Sequence, residues 1–253
     1  MPRFNDRAIA ELDEVFLSSG WSLIRDQVLA ARRLLVVDGA RDDQQLVSKQ
    51  EIPIRNNSWS HIEILGNAAK EFEDKGHITR GDVIAKFTNV NAFGREKLAW
   101  AFMFGYGKVG YGPRRLEPVL NETALDDLLD KATSSLHRTG AVDAYQEMFK
   151  KVSGLGPAFF TKYLYFEHAA NGSGAKPHAL ILDQVLASKM SAIACLAGRK
   201  AGIAQSHELA NWLWQGPFWS SSRYRKYLNF MNAQDEMQAD LLELLLFNPD
   251  LKL

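Results

Sequence analysis

Apolar residues recur at helical spacing along most of the chain, and no run of strict alternation interrupts them. Ile9, Leu12, Val15 and Phe16 share one face of a helix predicted over residues 6–18, which Gly20 stops before a second helix over 21–37. Arg32 and Arg33 fall late in that second helix, where cations suit the helix dipole, and read as a solvated end. Residues 38–57 are polar and broken by Pro53, the pattern of a loop with one short turn. Ser58 is placed to cap a helix in which Ile62, Leu65, Ala69 and Phe72 recur and which Gly76 closes, and Thr79 starts a short helix after it. Residues 95–104 are apolar on most sides, as a buried helix is.

The second half continues in the same period. Asn121 is placed to cap a helix running through His137 and ended by Gly140. Further helices are predicted over 141–151, from Pro157 to about residue 168, from 184, from Ser206 to the stop at Gly216 and Pro217, over 222–231 and over 235–247. Trp212, Trp214, Phe218 and Trp219 read as a core cluster, while Arg223, Arg225 and Lys226 face outward. The whole reads as all-α, with any sheet confined to a few residues, and divides roughly into an N-terminal helical region (1–90) and a second region (91–253).

Between the helices at 141–151 and 157–168 lies Gly154-Leu155-Gly156-Pro157. Proline suits the first position of a helix, and the two glycines allow positive φ and leave no Cβ between the backbone N–H groups and an approaching anion. N–H groups at a helix N-terminus form a phosphate site. Leu155 points inward and pins the turn. A tight corner between helices needs similar glycines for steric reasons alone, so both readings stand at this point. Lys150 and Lys151 before the turn, and Lys162 after it, stand where phosphates would pass.

A second glycine-rich stretch follows the buried helix at 95–104. Residues 105–115 hold four glycines with Tyr106, Tyr111, Lys108, Arg114 and Arg115. Such a loop could lie along a phosphate backbone while its aromatics stack on bases or wedge between them. The plainer alternative is a glycine-rich turn with locally packed tyrosines.

After the hairpin come the polar loop 169–177, an apolar run over 178–182, Asp183, and then a helix. This order of hairpin, helix, loop, apolar segment, Asp and helix resembles the helix-hairpin-helix DNA glycosylase superfamily. The similarity is best over about residues 94–247 and strongest to bacterial proteins described as 8-oxoguanine-glycosylase-like. Asp183 lies 29 positions after Gly154, a longer separation than is usual in the family, and the Asn-Gly-Ser-Gly loop accounts for the excess. The resemblance implies two closely packed helical subdomains with the active-site cleft between them. It also implies double-stranded DNA as partner, with a flipped base, and Asp183 as the catalytic carboxylate. On its own, an Asp at a helix start also serves as an N-cap, stabilising by about 1 kcal/mol.

Within the family, bifunctional members carry a lysine four positions past the first hairpin glycine, which forms a Schiff base with the sugar. Here that position is Ala158, so a monofunctional enzyme is expected, one that releases a base and leaves an abasic site. Lys162 lies one helical turn further on and is the residue through which lyase chemistry could still occur. A pocket wall or wedge is expected from Phe159, Phe160, Tyr163, Tyr106 and Tyr111. Similar bacterial proteins include repair enzymes and glycosylases that excise modified bases of viral DNA as a defence. Two readings from other classes remain beside this one: a non-catalytic hairpin protein that binds DNA, and a helical scaffold whose glycines are steric.

Composition trims the options. Thirty basic and thirty acidic residues cancel, so any basic face must come from clustering. Cys195 is the only cysteine, which excludes an internal disulfide and the four-cysteine cluster of related endonuclease-type glycosylases. No His/Asp/Glu set has metal-ligand spacing, and no Walker or dinucleotide turn occurs, so no cofactor is expected, although hairpin carbonyls could hold a monovalent cation. With no signal-peptide pattern or membrane-length apolar run, the expectation is a cytoplasmic monomer.

Overall fold

The apolar stripe that begins at Ile9 continues through Gly20 instead of stopping there. In the computed structural model, which describes residues 4–35, 40, 42–55, 59–172, 177–216, 219–248 and 251, α1 runs unbroken over Asp6–Leu34. Then come α2 (Asp43–Ser48), β1 (Glu51–Pro53), α3 (Gly66–Lys75), β2 (His77–Thr79), α4 (Arg80–Thr88) and α5 (Gly94–Tyr106). Helices α6 (Gly112–Leu120), α7 (Leu125–Arg138), α8 (Ala141–Met148) and α9 (Pro157–Asn171) lead to α10 (Gln184–Lys200), α11 (Ser206–Trp214), α12 (Ser221–Asn232) and α13 (Ala239–Phe247). The expected cap Ser58, the helix end at Val37, the stop at Pro217, the ring of Phe218 and positions 173–176 of the polar loop lie outside the described residues.

The helices fall into two compact units, one made of Met1–Asp38 with Leu182–Leu253 and the other of Gly39–Ile181. This grouping brings the two ends of the chain together. The cause is α1, whose stripe packs on α10, α12 and α13, elements far away in sequence.

In the first unit, Asn5 caps α1 by accepting from the Ala8 N–H at 2.8 Å. Gly20 serves close packing, since a Cβ there would stand 2.9 Å from Ile193 and 3.1 Å from the Phe230 ring. Gly198 does the same on α10, where a Cβ would lie 2.7 Å from both Leu12 and Ser206. Phe16 stacks on Phe230 at 4.6 Å and tilts against Trp214 at 5.6 Å. Arg223, expected to face outward, is buried: its guanidinium binds the Asp13 carboxylate at 2.5 Å and lies 4.9 Å over the Trp214 ring. Burying both charges together avoids leaving either uncompensated. Trp214 and Trp219 are core, as expected of the aromatic cluster, whereas Trp212 is 44% exposed beside Phe4.

The second unit is built around α9, on which α4, α5, α7 and α8 pack. Phe160, Leu164 and Phe166 of α9 are fully buried. Gly76 ends α3 at φ +80, and Thr79 forms a reciprocal capping box with Asp82 at the start of α4, both as the pattern predicts. Asn121 does not start α7; it closes α6, and α7 begins at Leu125 with Ala124 as its cap. The sheet is one antiparallel pair in which Ile52 of β1 faces Ile78 of β2. Among the described residues the fold is thus all-α apart from two three-residue strands, and no helix is long and apolar enough to cross a membrane.

Candidate active site and nucleic-acid interface

The hairpin forms at the expected residues, with a different division of labour between its glycines. Helix α8 stops at Met148, three residues short of the expected end, so Lys150 and Lys151 belong to the turn and not to a helix. Lys150 takes φ +59, a left-handed conformation more usual for glycine, with its ammonium 5.1 Å from the Phe149 ring. Gly154 also requires positive φ, at +82. Gly156 does not: it is the N-cap of α9 at φ −84, and a Cβ built on it meets nothing within 4 Å. Leu155 is buried, as expected, and Pro157 opens α9. Among the described residues, no group accepts from the backbone N–H of Gly154, Gly156 or Ala158. The turn therefore presents unpaired donors at a helix N-terminus, with open space at Gly156 and two exposed lysines preceding it.

The second glycine-rich stretch is more ordered than its composition suggests. Helix α5 extends to Tyr106 and α6 starts at Gly112, leaving only residues 107–111 as a turn and placing Arg114 and Arg115 on α6. Gly107, at φ +51, fits against β1, because a Cβ there would be 2.7 Å from Ile52 and 3.0 Å from the Pro53 carbonyl oxygen. Gly110 admits a further cation that sequence reading missed: a Cβ on it would lie 2.8 Å from the Arg55 guanidinium. No local signal could have found Arg55, since it reaches the turn through tertiary packing. Arg55, Lys108, Arg114 and Arg115 are all exposed.

The aromatics separate into two groups. Phe159 is half-buried and sits between Phe102, at 4.3 Å, and Tyr106, at 4.6 Å, in one stack. Tyr111 meets Tyr106 edge-on at 5.5 Å and stays 52% exposed, with the Arg115 guanidinium 5.0 Å over its ring. Tyr106 itself is buried and Phe159 half-buried, so Tyr111 is the most exposed ring of this group. Phe160 and Tyr163, expected in the pocket wall, are instead core. Phe160 packs edge-on against Tyr145, and the Tyr163 hydroxyl bonds Thr133 at 2.9 Å, with burial raising its phenol above the ordinary range. Helical geometry separates the two rings: Phe159 and Phe160 are adjacent in α9 and so point about 100° apart, one to the stack and one to the core.

Lys162 is buried under Gly105. A Cβ on Gly105 would be 3.0 Å from its side-chain carbons, and its ammonium donates to the Ala158 carbonyl oxygen at 2.9 Å. Ala158 is half-buried in the first turn of α9. A surface cavity of ≈ 740 Å³ in the same unit lies elsewhere, lined by His61, Glu63, Arg95 and Glu117 among others, and none of the hairpin or turn residues borders it.

In the other unit, Asp183 is half-buried at the N-cap of α10. Its Oδ1 accepts from the N–H groups of Val185, at 3.1 Å, and Leu186, at 3.2 Å. The capping role read from the sequence is therefore present, and the carboxylate is not sealed in the interior. Gln184 follows it, exposed, and donates to Gln215 Oε1 at 3.0 Å, an oxygen that also accepts from Ser188 at 3.4 Å. Gln215 was not singled out from sequence, where nothing distinguishes it from other surface amides.

No group of three or more His, Cys, Asp or Glu among the described residues is placed to hold a metal ion. No curated protein and no solved structure matches the chain. Residues 45–247 match the family described as "Putative 8-oxoguanine DNA glycosylase OGG-like protein". That match spans both glycine turns, α9 and Asp183, and with it the chain belongs to the OGG-like DNA glycosylase family.

Proposed function

We propose that the protein is a monofunctional DNA N-glycosylase that binds duplex DNA, flips out a damaged or modified base and hydrolyses its bond to deoxyribose. The observation that carries this reading is Ala158. An alanine occupies the first turn of α9, where a nucleophilic amine would be needed, and the nearest lysine turns its ammonium back onto the Ala158 carbonyl. Without an attacking amine, the chemistry falls to a carboxylate and water.

Asp183 supplies that carboxylate. Loss of the base leaves positive charge on the sugar, which a fixed anion stabilises, and the same group orients a water toward C1′. The water adds to C1′, the N-glycosidic bond breaks, the base departs with a proton, and an abasic site remains. The two N–H bonds from α10 hold the carboxylate in place. The hairpin N–H groups, with Lys150 and Lys151, take one stretch of backbone phosphate. Lys108, Arg114, Arg115 and Arg55 take another, with exposed Tyr111 entering the stack where a base has left.

The substrate class includes modified bases such as those of viral DNA, which would make the enzyme an antiviral defence. The test is a panel of duplexes containing 8-oxoguanine, other lesions or viral base modifications, assayed for abasic sites by alkaline cleavage. Release of at least one base, with strands intact before alkali, supports the proposal. Salt-sensitive DNA binding without release of any base would favour a non-catalytic hairpin protein.

A further inference from the structure

Ten residues separate His168, near the end of α9, from His178, at the start of the extended segment leading to Asp183. Their rings meet edge-on, with His178 Nδ1 2.6 Å from His168 Nε2. The other nitrogen of His168, Nδ1, lies 3.5 Å from the backbone N–H of Ala179. A ring nitrogen facing an N–H group must accept. His168 therefore carries its proton on Nε2 and donates it to His178 Nδ1, which must be unprotonated. The three groups form one directional chain that ties the segment 178–182 to α9. Residues 179–182 are buried, and the Gly39–Ile181 unit ends two residues before Asp183.

We propose that His168 and His178 are positioning residues that act through this segment: with both rings neutral they fasten the strap carrying Asp183, and protonation unfastens it. Adding a proton to His178 Nδ1 sets N–H against N–H. Shifting the His168 proton to compensate sets a second N–H against Ala179. Either way one bond of the chain is lost, so the fastened state belongs to neutral and higher pH.

The surroundings favour the neutral form. His168 is buried, and burial, followed by the like charges of His178 and of His137 on α7, lowers its pKa to about 4. The neighbouring anion does not offset this, because Glu167 of α9 is already engaged by Lys97 of α5 at 3.1 Å and His137 at 3.5 Å. On α4, Arg80 lies over the Tyr165 ring, and Lys86 lies over the rings of Phe72 and Trp100.

The inference rests on the proposed role of Asp183, and its test keeps the two separable. Amide exchange protection of Ala179, Leu180, Ile181 and Leu182 is measured by NMR at about pH 7.5 and about pH 5.5, which bracket ordinary imidazole titration. The same samples are assayed for single-turnover base release. In wild type, protection of these four amides falls by about ten-fold or more at the lower pH, while α1 and α10 keep theirs. His168→Gln replaces the buried ring with an amide that still donates to His178 and accepts from Ala179 but does not titrate, and it keeps both protection and rate nearly constant across that range. The double variant His168→Gln/His178→Gln, a second test in case the first fails to fold, likewise removes the pH dependence. Equal losses of protection in wild type and a folded Gln variant would overturn the proposal. If exchange behaves as stated but no base is released at any pH, the strap stands and the role of Asp183 fails.

Discussion

Gly154 and Gly156 flank the same buried leucine yet do different things: Gly154 sits at φ +82, which disfavours any side chain, and Gly156 sits at φ −84 with open space where its Cβ would be. Steric need accounts for the first glycine and not for the second. Beside that open space the N–H groups of Gly154, Gly156 and Ala158 have no acceptor among the described residues, which is the feature an anion requires.

Gly154→Ala is therefore expected to destabilise the fold by about 1 kcal/mol or more through backbone strain. Gly156→Ala should change stability by less than about 0.5 kcal/mol while weakening DNA binding, because its methyl group would fill the open space that a phosphate approaching the turn needs. Chemical denaturation paired with binding at low salt separates the two. Equal destabilisation with unchanged affinity for Gly156→Ala would make the turn a steric corner.

Lys162 is the residue through which strand cleavage could still occur. Borohydride added during turnover is expected to trap no covalent adduct, and strands should break only after alkali. An adduct that disappears in Lys162→Ala would show that the ammonium leaves the Ala158 carbonyl and attacks the sugar.

Much of this site is legible in the sequence because its signals are local. The turn glycines, Pro157 at the head of α9, the Thr79 cap and Asp183 at the start of α10 each depend on residues within a few positions. What was not legible depends on partners far along the chain. Gly20 reads as a break until Ile193 and Phe230 are seen to crowd it. Arg223 reads as solvated until Asp13 meets it, 210 positions away. Phe160 and Tyr163 have the chemistry of a base pocket, but the crossing of α9 with its neighbours turns both toward the core. Arg55 enters the glycine-rich turn only because the β1 segment packs under it. The division into units is hidden for the same reason, since it joins the two ends of the chain.

Stability should fall in mild acid. His168 has a folded pKa of about 4 against 6.5 ordinarily, so the unfolded chain binds the proton more tightly. Its contribution is complete above about pH 6.5 and is lost progressively as pH falls toward 4. Denaturation midpoints measured across this range should drop more steeply for wild type than for His168→Gln. Parallel profiles would mean that the buried ring is not responsible.

The carboxylate of Asp183 can be tested without disturbing its structural task. Asparagine caps helices as well as aspartate does, so Asp183→Asn should keep its bonds to Val185 and Leu186 and leave the melting temperature nearly unchanged. Single-turnover base release from a duplex that the wild type processes is the deciding measurement. The account predicts a loss of about 100-fold or more in Asp183→Asn with DNA affinity retained. Release at the wild-type rate by the folded variant would contradict it.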